Sequence, residues 1–285
     1  MSGYEWGADR RKYRAVVLVT TGSLNPIHRG HISMLERAAT ALEGRKCAEN
    51  TVMSVVGAFI SPSHDLYLAG KFDGKRFGSG RTRDNDSDFF LPADLRLELC
   101  EASVQYHPLI EVGRWETSQP RFRDFPSVAT DLSNALQEEF GQTDIALAEQ
   151  SVGATLILPP LVVYVCGSDV FNRCRLHRGL GQGLGVCYVS RGEAENVRGA
   201  EDDVEELVFQ VLDDDETATF SSTDIRREMV GGATEEQLAA AFENLVPLGA
   251  REKLIELAVN DAKTRKYKSA SDSHGDSRWW DIPMF

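Results

Sequence analysis

The sequence lacks any apolar run that approaches the ~20 residues needed to span a bilayer. The segment from Met1 to Arg14 holds Trp6 and several charged side chains, but not the apolar stretch of a secretory signal. Five cysteines are widely spread without CxxC spacing, which favours neither a disulfide framework nor a zinc site. We therefore expect a soluble, unsecreted chain with reduced thiols and no membrane partner, located in the cytoplasm, the nucleus or both.

Basic residues are scarce relative to acidic ones, and the formal net charge is −13. A broad nucleic-acid surface needs a basic face that neutralises many phosphates, so we expect no nucleic-acid partner. An anionic ligand would have to be held by local positive features, such as helix N-termini and a few arginines. A length of 285 residues, with 42% hydrophobic and 26% charged residues, suits one α/β domain with insertions.

The first junction of strand and helix is the clearest. Ala15–Thr20 is a β-branched apolar run typical of a buried parallel strand. From His31 the apolar residues recur at helical spacing, and Glu43-Gly44 indicates the end of that helix. The loop between them, Thr21–Gly30, is where a ligand would meet the N-terminus of the helix.

Several residues of this loop suit a phosphate. Gly22 lets the backbone approach a ligand closely, and Ser23 offers both an N–H and a hydroxyl group. His28 and His31, on either side of Gly30, are spaced to lie on one face of the first helical turn. A Gly/Pro turn with two surface histidines would explain either histidine alone, but the whole string after a buried strand favours phosphate binding.

A second candidate for anion binding is Phe220–Arg227. Ser and Thr suit a helix N-cap, the N-terminal amides face outward, and Arg226 can bind two phosphate oxygens with its guanidinium. A simple helix cap would explain the serines and threonine equally well. Together with the first loop, however, this segment predicts a second set of phosphate contacts in the same crevice.

These segments resemble the HxGH nucleotidylyltransferases, and within them the nicotinamide/nicotinate mononucleotide adenylyltransferases. GSLNPIHRGH is similar to the family's GSFNPxxxxH signature, with Leu24 where Phe is usual. The resemblance extends over most of the chain. Its further segments are Ile60-Ser61-Pro62 (ISP), Leu91–Arg96 ((I/L)PAxxR), Trp115-Glu116 (WE), Cys166–Asp169 (CGAD), Val189-Ser190-Arg191 (V(T/S)R) and Phe220–Arg227 (ISSTxIRR).

The resemblance implies an enzyme that transfers an adenylyl group from ATP to nicotinamide or nicotinate mononucleotide, giving NAD or deamido-NAD and pyrophosphate. It implies that Ser23, Trp115 and Glu116 bind the mononucleotide. For catalysis we expect His31 at the α-phosphate, with His28 and Arg226 nearer the leaving pyrophosphate. The residues expected to bind ATP and its phosphates are Gly22, Ser23, Leu24, Gly167, Asp169, Arg191, Ser222, Thr223 and Arg226.

The fold expected is a Rossmann-like α/β domain, in which helices flank a parallel sheet and both phosphate segments meet at the carboxyl ends of the strands. We predict strands near 15–20, 51–60, 108–112, 161–166 and 185–190. A single domain would cover 1–285. It would carry a polar insertion near 63–91, a variable connector near 142–160 and a polar tail near 260–285.

The pocket for the pyridine base is less well defined. Animal members of the family place a stacking Trp after CGAD, whereas Val170–Gly185 has none, so Phe171, His177 or another ring would have to replace it. Trp115 follows a short apolar strand, and either contacts the pyridine or closes the core. Lys71 and its neighbours Lys75 and Arg76 either reach a phosphate or belong to a solvated loop.

Other functions remain open at this point. The acceptor could be a different phosphorylated molecule, such as pantetheine phosphate, or the chain could be a nucleotide-binding or chaperone-like module without turnover. The choice between amide and acid substrates and a possible homo-oligomeric state are also open. A magnesium ion would be carried mainly by the phosphates of ATP and by water, because no carboxylate cage is evident.

Overall fold

The structure is a computed structural model. Among the residues described, no helix has the length and apolar character to cross a bilayer. The described residues are 12–72, 90–141, 145–146, 155–181, 183–191, 207–213 and 219–271.

Parallel strands form the centre of the molecule. They are β1 (Lys12–Gly22), β3 (Thr51–Pro62), β4 (Ile110–Val112), β6 (Thr155–Gly167), β7 (Gly185–Arg191) and β8 (Val208–Asp213). Two short strands, β2 (Lys46–Ala48) and β5 (Ile145–Ala146), pair antiparallel with β3 and β6. The chain adds β3 and β4 on one side of β1, then crosses to β6, β7 and β8 on the other. The strand order therefore reverses between β1 and β6, where such sheets bind ligands at the carboxyl ends of the strands.

Helices cover both faces of the sheet. They are α1 (Arg29–Leu42), α2 (Asp65–Phe72), α3 (Ala93–Val104), α4 (Trp115–Ser118), α5 (Phe125–Phe140), α6 (Ser168–Arg173), α7 (Ser222–Val230), α8 (Glu235–Leu245) and α9 (Leu248–Ser271). On β1, Val16 and Leu18 join the core that includes α1, α3 and α7 to α9. Val19 faces the opposite core, which includes α5 and α6. This alternation fixes the sheet in the middle of three layers.

The expected Rossmann-like fold is confirmed, but β6 begins at Thr155, earlier than the predicted 161. Pro159 and Pro160 concealed its first half, because proline cannot donate a hydrogen bond to a neighbouring strand. The pairing of β1 with β6 shifts register between Arg14 and Val16, next to these prolines. β8 was not predicted, since acidic runs border it on both sides.

Three other boundaries differ from the expectations. α1 begins at Arg29 rather than His31. The polar insertion expected from residue 63 begins with α2, which is anchored by the fully buried side chain of Leu68. The backbone of the expected polar tail continues α9 as far as Ser271. Lys75, Arg76 and the rest of the insertion up to residue 89 lie outside the described residues.

Candidate functional site

The loop after β1 is held by side chains that bind its carbonyl groups. The carbonyl oxygen of Ser23 accepts a hydrogen bond from Arg96 Nη1 at 2.9 Å, and that of Asn25 accepts one from Arg226 Nη1 at 2.6 Å. The carbonyl of Pro26 accepts the Ser222 hydroxyl at 2.8 Å. A trans peptide points its N–H opposite to its C=O, so these contacts direct the N–H of Leu24 away from Arg96. The arrangement can present backbone donors to an anion.

The side chain of Leu24 has a structural role. It is 2% exposed and packs in the core, while its backbone has a φ of 44°, in the left-handed region that leucine rarely adopts. The predicted phosphate contact of Leu24 therefore belongs to its backbone rather than to its side chain. Such a strained turn persists only where the surroundings enforce it, as the bonds to the flanking carbonyls do here.

His28 and His31 lie together at the start of α1. His28 is the N-cap residue and is buried, and the centroids of the two rings are 3.6 Å apart. The backbone N–H of His28 donates to Nδ1 of His31 at 3.1 Å. Because Nδ1 accepts this bond, the neutral ring of His31 carries its proton on Nε2, where it can be donated to a ligand.

The second predicted segment reaches the first directly. Ser221 caps α7 by accepting the N–H of Thr223 at 3.1 Å, as the sequence indicated. Arg226 links the Asn25 carbonyl to the Thr223 hydroxyl, which its Nη2 reaches at 3.0 Å. The N-termini of α1 and α7 therefore meet in one crevice, and their dipoles favour the same negative charge. The prediction that the two segments come together is correct.

Lys71 has a different position from the solvated loop that its sequence context indicated. It lies near the end of α2, and its Nζ donates to the Ser23 hydroxyl at 3.2 Å. Loss of hydration around the ammonium lowers the pKa of Lys71, and repulsion from Arg226 and Arg173 lowers it further. Lys71 is thus part of the same positively charged site.

Arg96 was part of a predicted motif but received no role from the sequence. Its side chain is fully buried, and it forms an ion pair with Asp65 at 2.7 Å. Its Nε donates to the Leu91 carbonyl at 2.9 Å, in addition to the bond to Ser23. Arg96 therefore links α3 to the start of α2 and to the loop after β1.

Gly167 and Asp169 follow β6 on the other side of the switch point. A Cβ atom at residue 167 would lie 2.8 Å from Oδ1 of Asp169, so a larger residue there would displace this exposed carboxylate from its position over the turn. The other carboxylate oxygen is 3.9 Å from Nη1 of Arg173. The predicted ATP-binding residue Arg191 ends β7, where its backbone is in register with that of Asp213 in the parallel strand β8.

Trp115 and Glu116 begin α4, at the carboxyl end of β4. Trp115 is 40% exposed, so it does not close the core, and the guanidinium of Arg123 lies 5.9 Å from the centre of its ring. Glu116 is 1% exposed and accepts a hydrogen bond from the Ser61 hydroxyl at 3.3 Å. Burial raises the pKa of Glu116 to about 7, against the opposing effect of hydrogen bonds from Ser63 and Ser61. Trp115 is therefore accessible to solvent at the carboxyl end of β4, while the neighbouring Glu116 is buried.

The structure also shows the surroundings of the other rings that could replace the missing Trp. Phe171 is not available as a replacement for the missing Trp, because it is buried and stacks on Tyr188 with their centroids 3.9 Å apart. His177 is half-buried in a short 3-10 turn after α6. Tyr67 stacks on Phe122 at 4.9 Å, and the charges of Arg173 and Glu116 both affect its pKa, which burial raises. The half-buried Tyr67–Phe122 pair thus brings together α2 and the segment after α4, which are distant in the sequence.

The raised pKa of Glu116 gives a prediction about stability. Between its ordinary pKa of 4.5 and the value of about 7, the folded chain binds more protons than the unfolded chain, so stability falls as pH rises through this window. Glu116→Gln removes this proton uptake. We expect the variant to gain up to about 3 kcal/mol relative to the wild type between pH 4.5 and pH 8.

Urea unfolding of both proteins at pH 4.5, 6 and 8 measures this difference. Glu111→Gln is the matched control, because Glu111 is an exposed carboxylate on the adjacent β4. A free-energy difference between Glu116→Gln and wild type that stays constant across the three pH values would contradict the assignment.

Comparison with known proteins supports the resemblance. No family model matches the chain. It is 30% identical over 166 residues to "Nicotinamide/nicotinic acid mononucleotide adenylyltransferase" of Oryza sativa subsp. japonica, covering 58% of this chain and 52% of that protein. It is 28% identical over 165 residues to the Arabidopsis thaliana protein of the same name, covering 58% and 54%. The chain thus spans about half the length of these curated relatives. The resemblance inferred from the motifs is confirmed.

Among solved structures, the chain is similar to "Plasmodium falciparum nicotinic acid mononucleotide adenylyltransferase complexed with APC". The TM-score is 0.46 with 10% sequence identity, over 92% of this chain and 100% of that one.

Proposed function

We propose that this chain transfers the adenylyl group of ATP to nicotinamide or nicotinate mononucleotide, giving NAD or deamido-NAD and pyrophosphate. The observation that carries the proposal is the direct contact of the two motifs, in which Arg226 and Ser222 bind the carbonyls of Asn25 and Pro26. Two helix N-termini, a guanidinium and an ammonium then surround one crevice. This combination suits a triphosphate that meets a second phosphate.

The chemistry needs alignment more than it needs a base. The second pKa of a phosphomonoester is near ~6, so the acceptor phosphate is already a nucleophile at neutral pH. One of its oxygens attacks the α-phosphorus of ATP and forms the new P–O bond. The bond from the α-phosphorus to the bridging oxygen breaks, and pyrophosphate leaves with the electron pair. The enzyme's task is to hold the two phosphates in line and to stabilise the developing charge.

His31, His28 and Arg226 divide this task. Nε2–H of His31 donates to a non-bridging oxygen of the α-phosphate, where negative charge develops in the transition state. His28 and Arg226 lie toward the leaving pyrophosphate, whose oxygens a planar guanidinium can bind in pairs. Thr223, already bonded to Arg226, and the amides at the start of α7 complete the set of donors.

The remaining ATP contacts come from the opposite side of the switch point. Asp169, which follows Gly167, binds the ribose hydroxyls, and Arg191 at the end of β7 is a further ATP-binding residue. Gly22 allows the phosphates to approach the end of β1. Lys71 joins Ser23 at the acceptor phosphate, which accounts for the contact between their side chains.

Magnesium fits this site as an ion bound to the phosphates of ATP. Within the described part of the chain, no three His, Cys, Asp or Glu side chains lie close enough to hold a metal ion. Mg²⁺ accepts several waters and phosphate oxygens as ligands, so the triphosphate can carry it without a protein cage. When bound, it neutralises phosphate charge and adds to the effect of the histidines and Arg226.

The pyridine base lies between Trp115 and the Tyr67–Phe122 pair, with Glu116 beneath them. This placement gives the second ring that the segment after CGAD does not supply. Arg123 already lies near the ring of Trp115, so the indole is accessible to a cation. A pyridinium in this pocket would gain from stacking and from the negative face of the indole.

Trp115→Leu tests this pocket, because leucine remains apolar but has no aromatic quadrupole. Loss of a cation–π contact of roughly 0.5–2 kcal/mol should raise KM for the mononucleotide by about 2- to 30-fold. KM for ATP and the thermal midpoint should stay near the wild-type values, since Trp115 is 40% exposed. Steady-state kinetics with both acceptors provides the measurement.

Phe140→Leu is the matched control, since Phe140 is similarly exposed at the end of α5. If Trp115→Leu melts early and uses the mononucleotide normally, its indole has a structural role only.

The proposed activity is tested by incubating the full chain with ATP, Mg²⁺ and either NMN or NaMN, and by measuring dinucleotide and pyrophosphate. Turnover with one or both acceptors is the expected result. If neither supports turnover while pantetheine phosphate does, the chemistry stands but the acceptor is wrong. If ATP binds without turnover of any of these acceptors, the chain is a nucleotide-binding module and the proposal fails.

A further inference from the structure

An arginine lies beside the aromatic side chains that follow β3 and β4. The guanidinium carbon of Arg123 is 5.9 Å from the centre of the Trp115 ring. The preceding residue, Phe122, stacks on Tyr67 of α2 with the ring centroids 4.9 Å apart. Because Phe122 and Arg123 are neighbours in the chain, these two contacts bring Trp115, Tyr67 and the guanidinium into one region of the molecule.

Hydrogen bonds at the end of β3 connect this region to the loop that follows β1. The N–H of Ser63 donates to the carbonyl of Gly22 at 2.8 Å. Two residues earlier, the hydroxyl of Ser61 donates to the carboxyl group of Glu116 at 3.3 Å. The start of α4, which includes Trp115, is therefore held beside the strand whose end contacts the proposed phosphate loop. A mononucleotide with its phosphate at that loop can extend its base in this direction.

The hydrogen bonds of Arg123 leave room for an anionic ligand. Nη2 donates to a carboxylate oxygen of Asp131 at 3.2 Å. Nε is buried and, among the described residues, has no hydrogen-bond partner, so an acceptor supplied by a ligand is favoured there. The side chains of Arg123 and Asp131 are 42% and 33% exposed, and an ion pair of this kind contributes little in water. The guanidinium can therefore turn toward another carboxylate, which it binds with two parallel hydrogen bonds.

The two pyridine mononucleotides differ in the charge of the base. In the nicotinamide form, the ring is a pyridinium cation that carries a neutral amide. In the nicotinate form, the same cation carries a carboxylate on its edge. A guanidinium beside the indole repels the first base and attracts the carboxylate of the second. Both effects act in the same direction, and a difference of this kind is what determines specificity.

We propose that Arg123 binds the carboxylate of nicotinate, and that this contact gives the chain a preference for nicotinate mononucleotide (NaMN) over nicotinamide mononucleotide (NMN). This inference rests on the proposed function and names the acceptor of the same site. The carboxylate is remote from the phosphate that reacts, so its contact with Arg123 is equal in the ground state and the transition state. The contact should therefore change KM for the acceptor rather than kcat.

Steady-state kinetics of Arg123→Gln with both acceptors tests the preference. In the wild type, we expect KM for NaMN to be roughly 10-fold lower than KM for NMN, as one charge-assisted hydrogen bond provides. Arg123→Gln should raise KM for NaMN by roughly 10-fold. KM for NMN should stay the same or fall, and kcat and KM for ATP should not change.

Two further variants define the origin of the effect. Arg123→Lys keeps the charge but not the planar pair of donors, and should retain part of the preference. Arg121→Gln is the matched control, because Arg121 is an exposed arginine two residues earlier in the same segment. Its KM values for both acceptors should equal those of the wild type.

Three results would overturn the inference. A wild type whose KM for NMN is equal to or lower than its KM for NaMN has no such preference. An equal rise in KM for both acceptors in Arg123→Gln would mean that the side chain supports Trp115 without binding the carboxylate. A preference that persists unchanged in Arg123→Gln would belong to another residue.

Calorimetric titration with NaMN and with NMN does not depend on turnover, so it separates this inference from the proposed function. If the wild type turns over neither acceptor but binds NaMN more tightly, and Arg123→Gln loses that difference, the proposed activity fails and the carboxylate contact stands. If the wild type is active while its two titrations coincide, only this inference fails.

Discussion

His31→Ala is expected to lower kcat by roughly 10²–10³, the usual effect of removing one preorganised donor to a transition state. In the structure Nδ1 of His31 accepts the N–H of His28, which leaves the proton on Nε2. In the proposed mechanism, that donor binds the α-phosphate most strongly when negative charge develops on it during transfer. KM for ATP should therefore change much less than kcat.

A second variant separates catalysis from helix capping. His31 also stabilises the first turn of α1 through its bond to the backbone of His28, so alanine could lower stability as well. In His31→Asn a short side chain can still accept that backbone N–H, but does not extend as far toward the ligand. We expect His31→Asn to melt near the wild-type temperature and to have a kcat close to that of His31→Ala. A loss confined to KM in both variants would contradict the catalytic role.

Local sequence patterns predicted most of the central sheet and the position of the two segments that we propose bind phosphate. Ala15–Thr20 predicted a buried parallel strand because β-branched apolar residues pack on both faces of such a sheet. Strand, glycine turn and helix start follow one another within a few residues at Gly22 and at Gly167, so local chemistry defines those sites. The meeting of Arg226 with the loop after β1 followed from the fold, since the carboxyl ends of parallel strands share one edge.

The contacts that the sequence did not reveal join residues distant along the chain. Lys71 lies next to a long polar insertion, and that composition predicted a solvated loop; its contact with Ser23 depends on the direction of α2. Tyr67 and Phe122 stack although they are far apart in the sequence, so no helical or strand periodicity could predict the contact. The charge of Arg173 lowers the pKa of Lys71. The two residues follow β6 and β3, which lie on either side of β1, so this effect depends on the strand order.

Arg96 gave one local signal that could have been used. It lies in the α3 segment with Leu95, Leu97 and Leu99 around it, and a charged residue in such surroundings is buried only if it has partners. The partners themselves, Asp65 and the carbonyls of Ser23 and Leu91, could not be identified without the fold.

Arg96→Met is expected to destabilise the fold by about 2–5 kcal/mol, because an unsatisfied carbonyl costs about 1–3 kcal/mol and two carbonyls lose a hydrogen bond. Methionine fills a similar volume but donates no hydrogen bonds. The carbonyls of Ser23 and Leu91 then lose their bonds from this side chain. Asp65 is 40% exposed and can be hydrated, so most of the cost comes from the carbonyls rather than from the carboxylate. Urea unfolding at pH 7 measures the loss.

The same variant should also weaken catalysis at temperatures where it is folded, because Arg96 holds the carbonyl that orients the Ser23–Leu24 peptide. We expect kcat/KM to fall by roughly 10- to 100-fold, equivalent to about 1.4–3 kcal/mol. Arg96→Lys keeps the charge but not the planar set of donors, and should lie between Arg96→Met and the wild type in both measurements. Arg114→Met is the control, since Arg114 is an exposed arginine paired with Glu101, and its loss should change stability by no more than about 0.5 kcal/mol. If Arg96→Met unfolds at the same urea concentration as Arg114→Met, the buried network does not stabilise the loop. If it is destabilised but retains wild-type kcat/KM when folded, Arg96 supports the fold without orienting the phosphate loop.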